Sequence, residues 1–100
     1  MQNILIIEDE IAIINVLKNI LLDENKKFKI DTAPNGIEGL KKVTELNYNL
    51  IICDIKMPQM DGIEVLEKSI AHGVDTPFIM ISGHGDIETA IECIKKGAFD

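Results

Sequence analysis

Two apolar runs in this chain end on acids. "ILIIEDE", Ile4 to Glu10, passes from four aliphatic residues into Glu8 and Asp9; "LIICDIKMPQMDG", Leu50 to Gly62, runs straight into Asp54. A buried strand that ends on a carboxylate sets that carboxylate at a rim. If the two strands are neighbours the three acids converge, and two carboxylates about 4 Å apart repel by roughly 4 kcal/mol at an effective dielectric of 20. Such a cluster needs a cation. The candidate ligands are all oxygens, with no thiolate or imidazole at metal spacing, so the expected ion is hard: Mg2+, with Mn2+ as a substitute. Mg2+ commonly joins one or two carboxylates to a phosphoryl group, which points to phosphate chemistry. The plainer reading of Glu8 and Asp9 is that they favour the positive N-terminus of the helix after them. Asp54 at the matching strand end weakens it.

Nearby residues are weighed the same way. Ser82 comes directly after "FIMI" and precedes Gly83; a hydroxyl there can donate to a phosphoryl oxygen, or simply serve the turn. His84 has no second histidine to pair with and reads as a loop residue, and His72 as a helix end before Gly73. Met57 and Pro58 restrict the loop after Asp54, because proline fixes its own φ and biases the residue before it towards extended backbone. That geometry can aim the Lys56 carbonyl at a metal while the Lys56 side chain stays in water. Cys53 and Cys93 fall in an apolar run and a predicted helix, without CxxC spacing, and read as core thiols.

The elements that must position these groups are legible from periodicity. "ILII", "LIIC" and "FIMI" (Phe78 to Ile81) are continuous apolar runs, the pattern of parallel strands covered on both faces. "FKIDTA" (Phe28 to Ala33) alternates and suits a sheet edge. Helical stripes are expected at Ile14, Leu17, Leu21; at Ile37, Leu40, Val43; at Ile63, Leu66, Ile70; and at Ile87, Ala90, Ile91, Ile94. Asn35 before Glu38 and Asp61 before Glu64 have capping-box spacing, and Lys95, Lys96 and Gly97 suit a helix end. The order is βαβαβαβα, which implies a doubly wound, open parallel α/β sheet in one domain, 1–100. Nothing after the last helix is left to cover "FIMI", so the domain is expected to be truncated at its C-terminal end. A partner chain supplying a strand is the other solution, and would make a homodimer through the fourth strand or the last helix.

Composition narrows the class. With 46% hydrophobic and 27% charged residues the chain reads as globular, and no apolar run approaches the roughly 20 residues of a bilayer span. No signal-peptide layout is seen at the N-terminus, so a cytoplasmic location is expected. Ten basic against seventeen acidic residues give a net charge of −7, which argues against direct contact with nucleic acid or an anionic membrane.

Taken jointly, "LIIEDE", "IICDIKMPQMDGIEVL" and "IMISGHGDIETAIECIKKGAFD" resemble, in order and spacing across all 100 residues, the receiver domain of two-component response regulators. The last stretch is most similar to receivers of nitrogen-regulation-type, enhancer-binding transcription regulators. The resemblance implies a flavodoxin-like sheet of order 2-1-3-4, with a fifth strand and helix that this chain lacks. It implies that Asp54 is a phosphoacceptor served by the phosphohistidine of a sensor kinase, and that Ser82 is the switch hydroxyl. Mg2+ would be held by Asp9, by Glu8 directly or through water, by Asp54 and by the Lys56 backbone carbonyl. Glu8 departs from the aspartate more usual at its position. The family's lysine and aromatic switch residue on the fifth strand would fall past Asp100, which implies impaired switching in this chain.

Two rival readings differ in class. A haloacid-dehalogenase-type phosphatase also uses a strand-end aspartate and Mg2+, but needs a second aspartate two positions on, where this chain has Lys56. A dimerisation scaffold that no longer takes phosphate would need none of the three acids. The favoured reading is a signalling domain that catalyses at most its own phosphorylation and dephosphorylation.

Overall fold

The computed structural model describes residues 2–82 and Ile87. Seven elements succeed one another: β1 (Asn3–Ile7), α1 (Ile11–Glu24), β2 (Lys29–Ala33), α2 (Gly36–Glu45), β3 (Leu50–Asp54), α3 (Gly62–Ala71) and β4 (Phe78–Ile81). The four strands form one parallel sheet of order β2-β1-β3-β4. This is the doubly wound, flavodoxin-like arrangement expected from the alternation of patterns, with β2 at an edge as its period-2 sequence requires. The expected last helix, with Cys93 and His84, lies outside the described residues apart from Ile87, which is buried.

Because side chains alternate across a strand, the same aliphatic runs feed two cores. Ile4, Ile6, Leu50, Ile52 and Ile81 face Leu17 and Leu21 of α1, with Ile87 beside them. Leu5, Ile7, Ile51 and Cys53 face the other way, onto Val43 of α2 and Val65 of α3, with Tyr48 and Met57. The aliphatic residues of β1 and of β3 are fully buried, each contributing roughly 1.5–3 kcal/mol. The hydroxyl of Tyr48 donates to Asp31 Oδ2 at 2.8 Å, tying the approach to β3 across to β2.

Helix starts agree with the sequence. Asn35 Oδ1 accepts from the Glu38 amide at 2.8 Å and Asp61 Oδ1 from the Glu64 amide at 2.9 Å, so each N-cap satisfies a donor that the first turn leaves unpaired. The His72 ring lies 2.8 Å from the Lys68 carbonyl at the end of α3, and the chain leaves through Gly73.

Two of the expected stripes are met only in part: Val43 is buried and Leu40 and Leu66 are half-buried. Ile37, Ile63 and Ile70 are exposed, and the buried positions are Gly36, Gly39 and Val43 on α2 and Gly62, Val65 and Ser69 on α3. Both helices are rotated so that small residues take the inner positions: Gly39 meets Ile7 of β1, Gly62 the end of β3, and Gly36 the loop before α3. Distance is the reason: a helix backbone can come this close to a strand only where side chains are missing, and the bulky isoleucines must turn outward.

At the β2 margin, the hydrogen bonds of Lys29 and Ala33 run to β1. The intervening Thr32 therefore turns its backbone groups away from the sheet. The ammonium of Lys42, on α2, donates to the Thr32 carbonyl at 2.6 Å.

Candidate functional site

Strand order reverses around β1, which has β2 on one side and β3 on the other. Open α/β sheets bind ligands beyond the carboxyl ends of the strands at such a point. In the β1–β3 register Ile7 lies opposite Cys53, so the next residue of each strand, Glu8 and Asp54, emerges at the same level. One carboxylate oxygen from each of Glu8, Asp9 and Asp54 lies within 4.8 Å of the other two. The three acids do converge.

Glu8 is only 1% exposed and Asp54 only 9%, while Asp9 is open to solvent. Glu8 Oε2 accepts from the backbone amides of Asp9 at 2.9 Å and Glu10 at 3.1 Å. Its extra methylene, relative to aspartate, lets the carboxylate curl back over its own chain just ahead of α1. Both amides precede α1, whose N-cap Glu10 makes no side-chain cap bond and whose first turn holds no acid, so the simpler helix-terminus reading gains no capping bond here. Burial above all, then hydrogen bonding with Asp9 and the charge of Asp54, pushes the Glu8 carboxyl up to about 8, against the pull of the Glu10 amide. A cation brought among these oxygens would relieve that crowding. The donor set is hard and anionic, and it suits Mg2+ or Mn2+.

A cleft of about 140 Å³ opens over the cluster, lined by Glu8, Glu10, Ile13, Asp54, Lys56, Ile81, Ser82 and Ile87. Ser82 thus stands on the same cleft as Asp54, as its strand-end position requires, and the β3–β4 register sets Asp54 opposite Ile81. Lys56 is exposed, and its amide donates to Asp54 Oδ1 at 3.2 Å. Sequence does not single out Glu10, Ile13 and Ile87 as cleft residues; their only signal is proximity to a strand end or a helix start.

The loop after Asp54 is more tightly built than its two sequence restraints imply. Met57 is buried among Leu5, Ile7 and Val65, which anchors the loop to the core. Gln59 has φ 69, and the Met60 amide donates to the Pro58 carbonyl at 2.8 Å, a γ-turn in its strained hand. The Gly62 amide then donates to the Ile55 carbonyl at 2.9 Å and closes the loop on itself. Cys53, next to the cluster, is a buried free thiol, and burial foremost pushes it up to about 12. It is a core residue, as expected.

Comparison with known proteins agrees with this geometry. Residues 4–100 match the response regulator receiver domain. The nitrogen assimilation regulatory protein NtrX of Azorhizobium caulinodans is 38% identical over 101 residues, which cover 99% of this chain and 22% of NtrX. The chemotaxis protein CheY of Listeria monocytogenes is 35% identical over 100 residues, covering 100% of this chain and 83% of CheY. A chain from the crystal structure of histidine kinase ThkA in complex with response regulator protein TrrA is 40% identical, with a TM-score of 0.74 over 84% of this chain and 72% of that one. The chain spans about a fifth of the length of NtrX and also of the transcriptional regulatory protein ZraR of Klebsiella oxytoca, to which it is 33% identical over 98 residues. With a parallel 2-1-3-4 sheet, acids gathered at the carboxyl ends of β1 and β3, and a family match over nearly its whole length, this chain belongs to the response regulator receiver domain family.

Proposed function

We propose that this domain is the phosphoacceptor switch of a two-component system, in which Asp54 takes a phosphoryl group from a histidine of a sensor kinase. The observation that carries the reading is the meeting of Glu8, Asp9 and Asp54 within 4.8 Å at the strand ends, on a cleft that also holds Ser82. Glu8, Asp9, Asp54 and the Lys56 carbonyl would hold Mg2+, which supplies neutralisation of charge on the transferring phosphoryl oxygens. One carboxylate oxygen of Asp54 forms the new O–P bond while the P–N bond to the kinase histidine breaks. The electron pair of that bond stays on the imidazole, which takes up a proton from water. The Lys56 amide donates to Asp54 Oδ1 at 3.2 Å, which favours Oδ2 as the attacking atom. Ser82 then donates its hydroxyl to a phosphoryl oxygen, and the pull on the end of β4 biases the conformation of the chain beyond Ser82. The similarity to the transcriptional regulatory protein ZraR supports control of transcription as the output, and the kinase complex among the similar structures supports the kinase as partner.

The test is direct. Incubated with acetyl phosphate and Mg2+, the 100-residue chain should gain one phosphoryl adduct on Asp54, stable to acid and labile to hydroxylamine, and the Asp54→Asn chain should gain none. Steady release of phosphate from simple esters would instead make it a phosphatase. No adduct on the wild-type chain would leave a scaffold.

A further inference from the structure

Two glycines press on the backbone of the loop that carries Asp54 and Lys56. Gly62 is the first residue of α3 and Gly36 the first residue of α2. A Cβ at Gly62 would stand 2.2 Å from the carbonyl oxygen of Asp54, 2.9 Å from its carbonyl carbon and 2.9 Å from Ile55 Cα. A Cβ at Gly36 would stand 2.4 Å from the carbonyl oxygen of Met60 and 3.0 Å from Val65 Cγ2. Neither approach leaves room for any side chain, and in both the nearest neighbour is backbone, which cannot swing aside as a side-chain tip can. The loop is therefore held at two points. At its start Gly62 sits on Asp54 and hydrogen-bonds the Ile55 carbonyl; at its far end Gly36 sits on Met60.

We propose that Gly62 and Gly36 are positioning residues for the acidic pocket: they clamp the phosphoacceptor loop backbone-to-backbone, so that cation binding and phosphoryl acceptance require both positions to lack a side chain. The proposal rests on Asp54 being the phosphoacceptor. Asp54 cannot keep its carboxylate on the Glu8 and Asp9 oxygens if its own carbonyl is pushed away, and the Lys56 carbonyl moves with it. Through Gly36 the clamp extends to α2, which contributes no residue to the cleft among those described.

Gly39 supplies the control. It is equally buried on α2, but a Cβ there would meet the side chain of Ile7, at 2.7 Å from Cδ1, rather than the loop. Gly62→Ala, Gly36→Ala and Gly39→Ala are made in the 100-residue chain, and each is measured for thermal unfolding, for Mn2+ binding by loss of the free-ion EPR signal, and for the rate of Asp54 phosphorylation by acetyl phosphate. Displacing a reacting group by about 1 Å can cost on the order of a hundredfold in rate. Gly62→Ala is expected to lose roughly that factor in phosphorylation and about tenfold or more in Mn2+ affinity, with Gly36→Ala losing less. Gly39→Ala is expected to unfold at lower temperature and still bind Mn2+ like the wild type. Wild-type affinity and rate in folded Gly62→Ala and Gly36→Ala overturn the proposal, as does an equal loss in Gly39→Ala. If Gly62→Ala does not fold, Gly36→Ala against Gly39→Ala decides. A wild-type chain that neither binds Mn2+ nor takes phosphate overturns the phosphoacceptor function instead, a result distinct from all of these.

Discussion

Glu8 should make the metal-free domain weaken as pH rises, opposite to the usual behaviour of a carboxylate. Its carboxyl is shifted from 4.5 up to about 8 in the fold, chiefly by burial. A group whose folded pKa is raised holds its proton more tightly when folded than when unfolded. Its contribution is therefore complete below about pH 4.5 and is lost progressively as pH climbs to about 8. At about 1.4 kcal/mol per pH unit for one proton, the loss across that window is on the order of 4 kcal/mol, a large part of the roughly 5–15 kcal/mol available to a small domain. Glu8→Gln isolates the effect. The amide oxygen can still accept from the Asp9 and Glu10 amides, and the side chain is neutral at every pH, like the protonated acid. Urea unfolding monitored by circular dichroism, in EDTA at a series of pH values from about 5 to about 8.5, spans most of the window over which the linkage acts. It should show the two proteins matched at the acid end and Glu8→Gln the more stable at the alkaline end. Saturating Mg2+ should narrow the gap at the alkaline end, because a ligand present at roughly a hundredfold its Kd adds about 2.7 kcal/mol to whichever protein binds it. Parallel curves for the two proteins in EDTA would refute the reasoning, since they would mean that Glu8 sits no differently in the folded and unfolded chains.

Gln59→Gly should stabilise the domain by roughly 0.5–1 kcal/mol in urea unfolding, because glycine adopts the positive φ of that γ-turn without strain, less its greater freedom when unfolded. Asn35→Ala should cost about 1 kcal/mol in the same assay, through loss of the bond from the Glu38 amide. Cys53 should react with iodoacetamide near neutral pH roughly a thousandfold more slowly than an ordinary thiol, and at ordinary speed in urea, as read by mass spectrometry of the peptide that contains it.

The sheet is legible in the sequence because parallel strands buried on both faces must be apolar throughout, as Ile4 to Ile7 and Leu50 to Cys53 are; Phe78 to Ile81 has the same pattern, but β4 lies at the edge of the described sheet and only Ile81 of it is buried. The acidic cluster is legible because strand ends in such a sheet share one rim, so Glu8, Asp9 and Asp54 need only neighbouring strands to meet. The faces of α2 and α3 are not. Hydropathy ranks isoleucine above glycine, whereas close approach of helix to strand ranks them in reverse, and Ile37, Ile63 and Ile70 turn outward where Gly36, Gly39 and Gly62 turn in. The left-handed Gln59 is hidden because glutamine gives no sign of it. The Tyr48 to Asp31 bond joins residues 17 positions apart, beyond the reach of any local pattern. Nor does spacing reveal that the Glu8 carboxylate doubles back onto its neighbours' amides.

Lys42 has a consequence for how this protein meets copies of itself. A strand arriving at the β2 margin would have to share the Thr32 oxygen with an ammonium that already donates to it. Growth of the sheet in that direction is hindered by one cation lent from a helix, and discharging Lys42 would remove that hindrance while leaving the acidic rim untouched.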